Sequence, residues 1–236
     1  MANGRSPAHA AAAPGVLPEA LGRPGARPLL EAAVVAFAER GYHGVSVRDL
    51  TSTVGIQSAS FYAHFPSKEA LLAELMIGGH ELHQVHVRDA ILGAGPDPID
   101  QLRSATRANV EFQAMWPLMT IVCNSELHAL AQVNSDRVLA LRHDSGVLIV
   151  AVIERGNASG AFACADIWLA MSAIGAMGVR VAWWFRPPGA GDGVDDSPLA
   201  SYPREAATWM SGAGYTVDTV AATYAEFALK IVGARP

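Results

Sequence analysis

Between residues 57 and 64 the chain sets Gln57, Ser58, Ser60, Tyr62 and His64, side chains that both donate and accept hydrogen bonds, around the aromatic Phe61. If Phe61 and Phe65 face a core, the polar set faces outward, where such groups suit base edges and phosphates. Ser46, Arg48 and Lys68 flank the set and read as phosphate holders. A second set offers a different chemistry. Trp116, Met119, Cys123, Met171, Met177, Trp183 and Trp184 would line an apolar pocket, with Glu126, Arg142 and Arg180 to fix a polar group. Arg180 is singled out because it interrupts an apolar run, and a buried Arg needs a partner: a ligand carboxylate or phosphate, or Glu126. A third set, His80, His83 and His86, has a first pair spaced to share a metal. It lacks the zincin spacing of two His four residues apart with a Glu between them, so polar packing is the favoured reading and a metal sensor the alternative.

The elements that must position these groups are helical. Ser46 caps a short helix with Asp49 as its capping-box partner, and Val47, Leu50 and Val54 recur at helical spacing. Gly55 supplies a turn, Ile56 plugs the angle, and Ser58 caps a second helix running to about His64. Upstream, residues 27–41 read as a packing helix with Pro28 in its first turn and Leu30, Ala33, Val34 and Phe37 on one face. Downstream, residues 67–92 form one long helix, broken by the Gly- and Pro-containing stretch 93–98. Further helices are expected from near Ile99, over 117–130, over 134–156, over 165–185 and over 217–232. The fold class is all-α, with a disordered arm over 1–26, a helix-turn-helix domain over 27–75 and a helical domain over 76–236, for which a family resemblance implies effector binding and dimerisation. Arg5, Arg23 and Arg27 belong to that arm or its edge and could reach a groove.

Val-Ser-Val-Arg-Asp-Leu from Val45, Val-Gly-Ile from Val54 and Ser-Phe-Tyr-Ala-His-Phe-Pro-Ser-Lys-Glu-Ala-Leu from Ser60 together resemble the N-terminal domain of the TetR family of repressors, over about residues 27–75. The segments 124–130, 181–189 and 217–233 are similar to a subgroup that senses acyl-CoA thioesters or related lipid and steroid catabolites. The resemblance implies a homodimer whose four-helix interface is built from 167–185 and 217–232, with Ala173, Gly175, Ala176 and Gly178 permitting close approach. Ile174, Met177, Val181, Phe227 and Ile231 would fill the seam. It also implies a double-stranded DNA operator and a small-molecule effector as partners.

Composition bounds these readings. A chain of 236 residues that is 51% hydrophobic can bury a sizeable core, and a formal net charge of −5 excludes general nucleic-acid coating. DNA contact must come from a local surface, yet residues 57–64 contain no Lys or Arg. Cys123 and Cys164 are the only cysteines, which suits a reducing cytoplasm without a disulfide framework. No secretory signal is expected at the N-terminus. The most apolar stretch, 167–185, contains Arg180 and several Gly and reads as a buried helix rather than a membrane span. No Gly-rich phosphate loop, nucleophile elbow or convergent Ser, His and acid set is present, so no catalytic residue and no cofactor is expected. A helical enzyme of unrecognised type built on Cys123, Glu126 and His128 is the second alternative, disfavoured because these three point to different faces of one helix. The Gly-, Pro- and Ser-rich connection over 187–217 is long enough to be a functional or mobile loop.

Overall fold

The computed structural model describes residues 16–185 and 214–235, and every regular element among them is helical. Three helices build the N-terminal unit. Helix α1 (Arg27–Arg40) starts on Pro28 and buries Leu30, Ala33, Val34 and Phe37, the face its spacing predicts. Helix α2 (Val47–Val54) is entered through the full capping box: Ser46 Oγ accepts from the Asp49 amide at 3.1 Å while Asp49 Oδ2 accepts from the Ser46 amide at 2.8 Å. Gly55 closes α2 in the left-handed region at φ 77°, which spares a side chain the steric cost of that conformation. Helix α3 (Ser58–Phe61) follows at once.

Helix α4 (Lys68–Gly93) is capped by Ser67, whose Oγ accepts from the Ala70 amide at 3.0 Å, and runs without interruption through the expected domain boundary at 75. Helix α5 (Pro98–Met115) is the central post of the body and packs against α4, α7 (Gln132–Ser159), α8 (Ile167–Trp184) and α9 (Val217–Ile231). Helix α6 (Pro117–Ser125) is wedged between α1, α4 and α8. Close helix approach is bought by missing side chains: a Cβ on Gly178 of α8 would collide with the amide of Asn109 on α5. One apolar core runs without a break from the reader into the body, joining Leu30, Phe37, Leu50, Phe61, Phe65 and Leu71 to Phe112, Leu118, Met119 and Cys123.

Several expectations need correction. Residues 16–26 are ordered: Leu17 and Leu21 are buried at 5% and 4% exposure, and Leu21 occupies the space a Cβ on Gly78 would need. Arg27 is not an arm residue reaching for DNA. Its guanidinium donates to the carbonyls of Leu17, Pro18, Glu19 and Leu21 and pairs with Glu31 at 2.8 Å, tying the segment to α1. The second helix of the reader ends at Phe61, not near His64, and its N-cap is Gln57 rather than Ser58. The 117–130 helix stops at Ser125, and a separate 3-10 turn covers Leu127–Ala129. Gly178 meets Asn109 of its own chain, and Ile174 and Val181 are buried at 2% and 0%, so these three serve the intrachain core rather than a dimer seam. Arg5 and most of the 187–217 connection lie outside the described residues.

Candidate nucleic-acid interface and effector cavity

The reader buries Phe61 and Phe65 and leaves Gln57, Ser58, Ser60 and Tyr62 exposed, as the polar set requires. Tyr62 is the most prominent, 59% exposed with its ring edge against Phe61. Thr51 Oγ1 lies 3.3 Å from Ser58 Oγ, locking the angle between α2 and α3. Arg48 is exposed on α2, whereas His64 is half-buried and its carbonyl accepts from Arg23 Nη2 at 3.1 Å. Two expected phosphate holders turn out to be committed inside the protein. The Ser46 hydroxyl is taken up by the capping box, donating to Asp49 Oδ2 at 2.7 Å, and the Ser46 hydrogen bonds hold the Asp49 carboxyl below the usual carboxylate range. Lys68 Nζ donates to the carbonyls of Tyr42 at 2.7 Å and Val45 at 2.5 Å and sits 3.9 Å from the Tyr42 ring centroid. That ammonium pins the α1–α2 connection to the first turn of α4, and burial pushes its pKa down. Lys68 is therefore a staple of the reader rather than a free phosphate contact.

A cavity of about 220 Å³ lies between α4, α5, α6, α7 and α8. Of the residues expected there, Met119, Cys123, Arg142 and Met171 line it. Trp116, Glu126, Met177, Arg180, Trp183 and Trp184 do not. Trp116 stacks edge-on against Phe112 behind the wall, at 4.9 Å between ring centroids. Glu126 is buried near Gly41 at the α6 terminus, 3.9 Å from His128. Met177 packs into the core around Leu102 and Val152. Arg180 is exposed and lies 5.2 Å from the Trp183 ring, and Trp184 packs against Phe185 and Tyr224. The apolar run around Arg180 faces outward at that position, which the residue types alone do not disclose.

Besides Arg142, which the sequence placed in the pocket, the polar wall comes from residues whose types alone pointed elsewhere or to no role. His80 and His83 of α4 face inward, one turn apart. Arg142 donates through Nε to His80 Nε2 at 3.3 Å and through Nη2 to the Cys123 carbonyl at 2.6 Å. Burial first, and Arg142 second, pull the His80 imidazole down to about 3, so it is neutral. Burial likewise lowers His83 and raises the Cys123 thiol to about 12. His83 Nε2 donates to Asn109 Oδ1 at 3.0 Å, and Gln113 Nε2 donates to the same oxygen at 3.4 Å. His80 and His83 thus turn toward different partners instead of a shared centre, and among the described residues no group of three or more His, Cys, Asp or Glu converges as metal ligands would. Asn109 and Gln113 were visible in sequence only as polar interruptions of the α5 pattern.

Two family models match this chain: bacterial regulatory proteins of the tetR family over residues 29–75, and the tetracyclin repressor-like C-terminal domain over residues 95–193. The chain belongs to the tetR family. Regulators of this family are non-enzymatic transcription factors. The HTH-type transcriptional repressor KstR2 of Mycobacterium tuberculosis is 34% identical over 103 residues, 44% of this chain and 51% of the relative. The matched part thus spans about half the length of that curated relative. The solved structure of that ketosteroid regulator superposes with a TM-score of 0.72 at 25% identity, covering 91% of this chain and 99% of the other. A tetR-family regulator from Rhodococcus RHA1 shares the fold at a TM-score of 0.76 and 24% identity, over 91% of this chain and 100% of that one. AibR, solved in complex with isovaleryl coenzyme A and operator DNA, shares it at 0.69 and 18%, over 89% and 100%.

Proposed function

We propose that this chain is a homodimeric transcriptional repressor of the cytoplasm, released from a palindromic operator when a small apolar or acyl-CoA-like molecule fills the cavity. Gln57, Ser58, Ser60 and Tyr62 read the major groove, while Arg48 and His64 contact phosphates; bases specify and phosphates position. The observation that carries the reading is α4. Its first turn is pinned to the reader by Lys68, and its middle supplies Gly79, His80, His83 and Val87 to the cavity wall. From Lys68 to His83 is roughly 22 Å of continuous helix, so a tilt at the cavity is carried to the reader. Helix α6 runs in parallel with that link, since Met119 and Cys123 line the cavity and also belong to the core shared with α1. A ligand that favours the tilted arrangement shifts the population away from DNA by its difference in affinity for the two states.

Dimerisation draws support from α8. Its mean hydropathy is 1.3, high enough by length and composition for a membrane span, yet only 28% of that stretch is buried within the chain. Trp168 and Leu169 of α8 and Phe227 and Ile231 of α9 remain exposed at 52%, 69%, 43% and 39%. A second copy covers these faces and sets two readers one DNA turn, about 34 Å, apart. That AibR was solved with both a coenzyme A thioester and operator DNA supports the two-ligand mechanism.

Fluorescence anisotropy with the DNA flanking its own gene tests the reading. The parent chain binds it in preference to random fragments, Tyr62→Ala changes the preferred sequence, and Leu169→Glu yields a monomer by light scattering that binds the palindrome weakly. Equal binding of flanking and random DNA by the parent chain refutes the proposal.

A further inference from the structure

We propose that the molecule filling this cavity is small, largely apolar and carries a carboxylate at one end and a hydroxyl group at the other. The assignment rests on the reading of this cavity as the effector site. It follows from which polar capacity of the wall is already spent. Thr106 Oγ1 donates to the Leu102 carbonyl at 2.8 Å, Thr120 Oγ1 to Pro117 at 3.0 Å, Ser145 Oγ to Leu141 at 3.0 Å, and Asn124 Nδ2 to Thr120 at 2.7 Å. The three hydroxyl hydrogens and one Asn124 amide hydrogen are turned back into their own helices. Two groups stand apart from this pattern.

The first is Arg142. Its two hydrogen bonds go to His80 Nε2 and the Cys123 carbonyl, and neither partner is a carboxylate. A guanidinium stays charged in a protein and carries five N–H donors in a planar fork, so a half-buried one with neutral partners has an open edge for an anion. The second is Gln113 on α5. The residue is 4% exposed and lines the cavity, its Nε2 is held by Asn109 Oδ1, and its Oε1 has no hydrogen-bond donor among the described residues. Turning the amide over would set oxygen against oxygen, because Asn109 Oδ1 already accepts from His83. A buried amide acceptor without a donor is costly, and a ligand hydroxyl removes that cost.

Arg142 lies beside His80 and Gln113 beside Asn109, with Val87, Phe112, Met119, Ile149, Met171 and Ile174 supplying the apolar wall between them. A volume of about 220 Å³ lies below the range of about 300–1,000 Å³ for drug-sized ligands. Among the described residues its lining offers one cation, Arg142, since burial disfavours charge on both lining imidazoles. One guanidinium matches one carboxylate. The thioester of a simple monocarboxylic acid has no anion at its acyl end to meet Arg142.

The test is calorimetric titration of the full chain with ω-hydroxyalkanoates from hexanoate to decanoate, their methyl esters, the parent alkanoates, and the matching coenzyme A thioesters. The hydroxy acids bind tightest; esterification weakens them at least about tenfold and loss of the hydroxyl about threefold to tenfold. Arg142→Gln erases the difference between acid and ester, and Gln113→Leu erases the difference between hydroxylated and parent acid, each leaving the other difference in place. Should either variant melt early, the ligand series on the parent chain still decides. Acids and esters of equal affinity, indifference to the hydroxyl, binding of the thioesters alone, or no binding in the series would each overturn the assignment. Operator anisotropy is measured separately. A chain that binds the hydroxy acids but not the flanking DNA contradicts the regulator reading while leaving the ligand class intact.

Discussion

Replacing Lys68 with methionine separates two roles that residue type alone leaves equivalent. In the structure the ammonium donates to the Tyr42 and Val45 carbonyls and lies over the Tyr42 ring. Hydrogen bonds to a charged group contribute about 1.5–3 kcal/mol each, and an ammonium over an aromatic face about 0.5–2 kcal/mol. Lys68 is partly open to solvent, so water replaces some of this, and a net loss of about 2–4 kcal/mol is expected. For a chain of this size that lowers the Tm by roughly 5–15 °C. The second measurement is operator affinity by anisotropy over a range of salt. A phosphate contact contributes about 0.9 to the slope of log K against log salt, and an internal staple contributes none. Lys68→Met should therefore melt earlier and bind more weakly with an unchanged salt slope. An unchanged Tm together with a slope reduced by about 0.9 would refute the staple and restore the phosphate role.

Three further outcomes are expected. Ser46→Ala removes the hydroxyl half of the capping box, leaving the residue-46 amide to donate to Asp49 Oδ2, and should cost about 1 kcal/mol, read as a Tm lower by about 2–4 °C; an unchanged Tm means the hydroxyl does not hold α2. Gly178→Ala gains about 1 kcal/mol of helix propensity but drives a Cβ into the Asn109 amide, where overpacking costs about 1–3 kcal/mol. Its urea midpoint should fall and its ligand response weaken, and a raised midpoint would show that α5 and α8 yield freely. The His80 imidazole, held near 3 when folded against 6.5 when free, should make the protein acid-sensitive. The unfolded state binds more protons across that window, so the contribution is complete above about pH 6.5 and is lost as pH falls, by up to about 1.4 kcal/mol per unit. Burial of His83 acts in the same direction, and His80→Gln should flatten the acid limb of chemical denaturation; an unaltered limb places the acid sensitivity elsewhere.

The reader was legible because its signals are local. The Ser46–Asp49 box, Gly55 and the spacing of Leu50, Phe61 and Phe65 each act within a few residues, and all were found where expected. The internal hydrogen bonds of Lys68 were not legible, since its partners lie 26 and 23 residues upstream in the α1–α2 connection, beyond any local pattern. The cavity was half legible. Met119, Cys123, Arg142 and Met171 were named on residue type, but the same criterion also named Trp116, Met177, Arg180, Trp183 and Trp184, which face the core behind the wall or the outside.

Helix lengths, caps and turns, and hence the reader and the all-α class, follow from residues close together in the chain, where propensity and hydrogen-bond capacity act directly. Which face of a helix meets core, cavity, solvent or a second copy depends on how five helices cross, and that is set by packing between residues far apart in sequence. Arg142 and Arg180 make the difference concrete: both sit in long helices, yet crossing geometry turns one toward His80 and the cavity and the other outward over Trp183. The shared wall of His80, Gln113 and Arg142 therefore exists only because α4, α5 and α7 bring these three residues together.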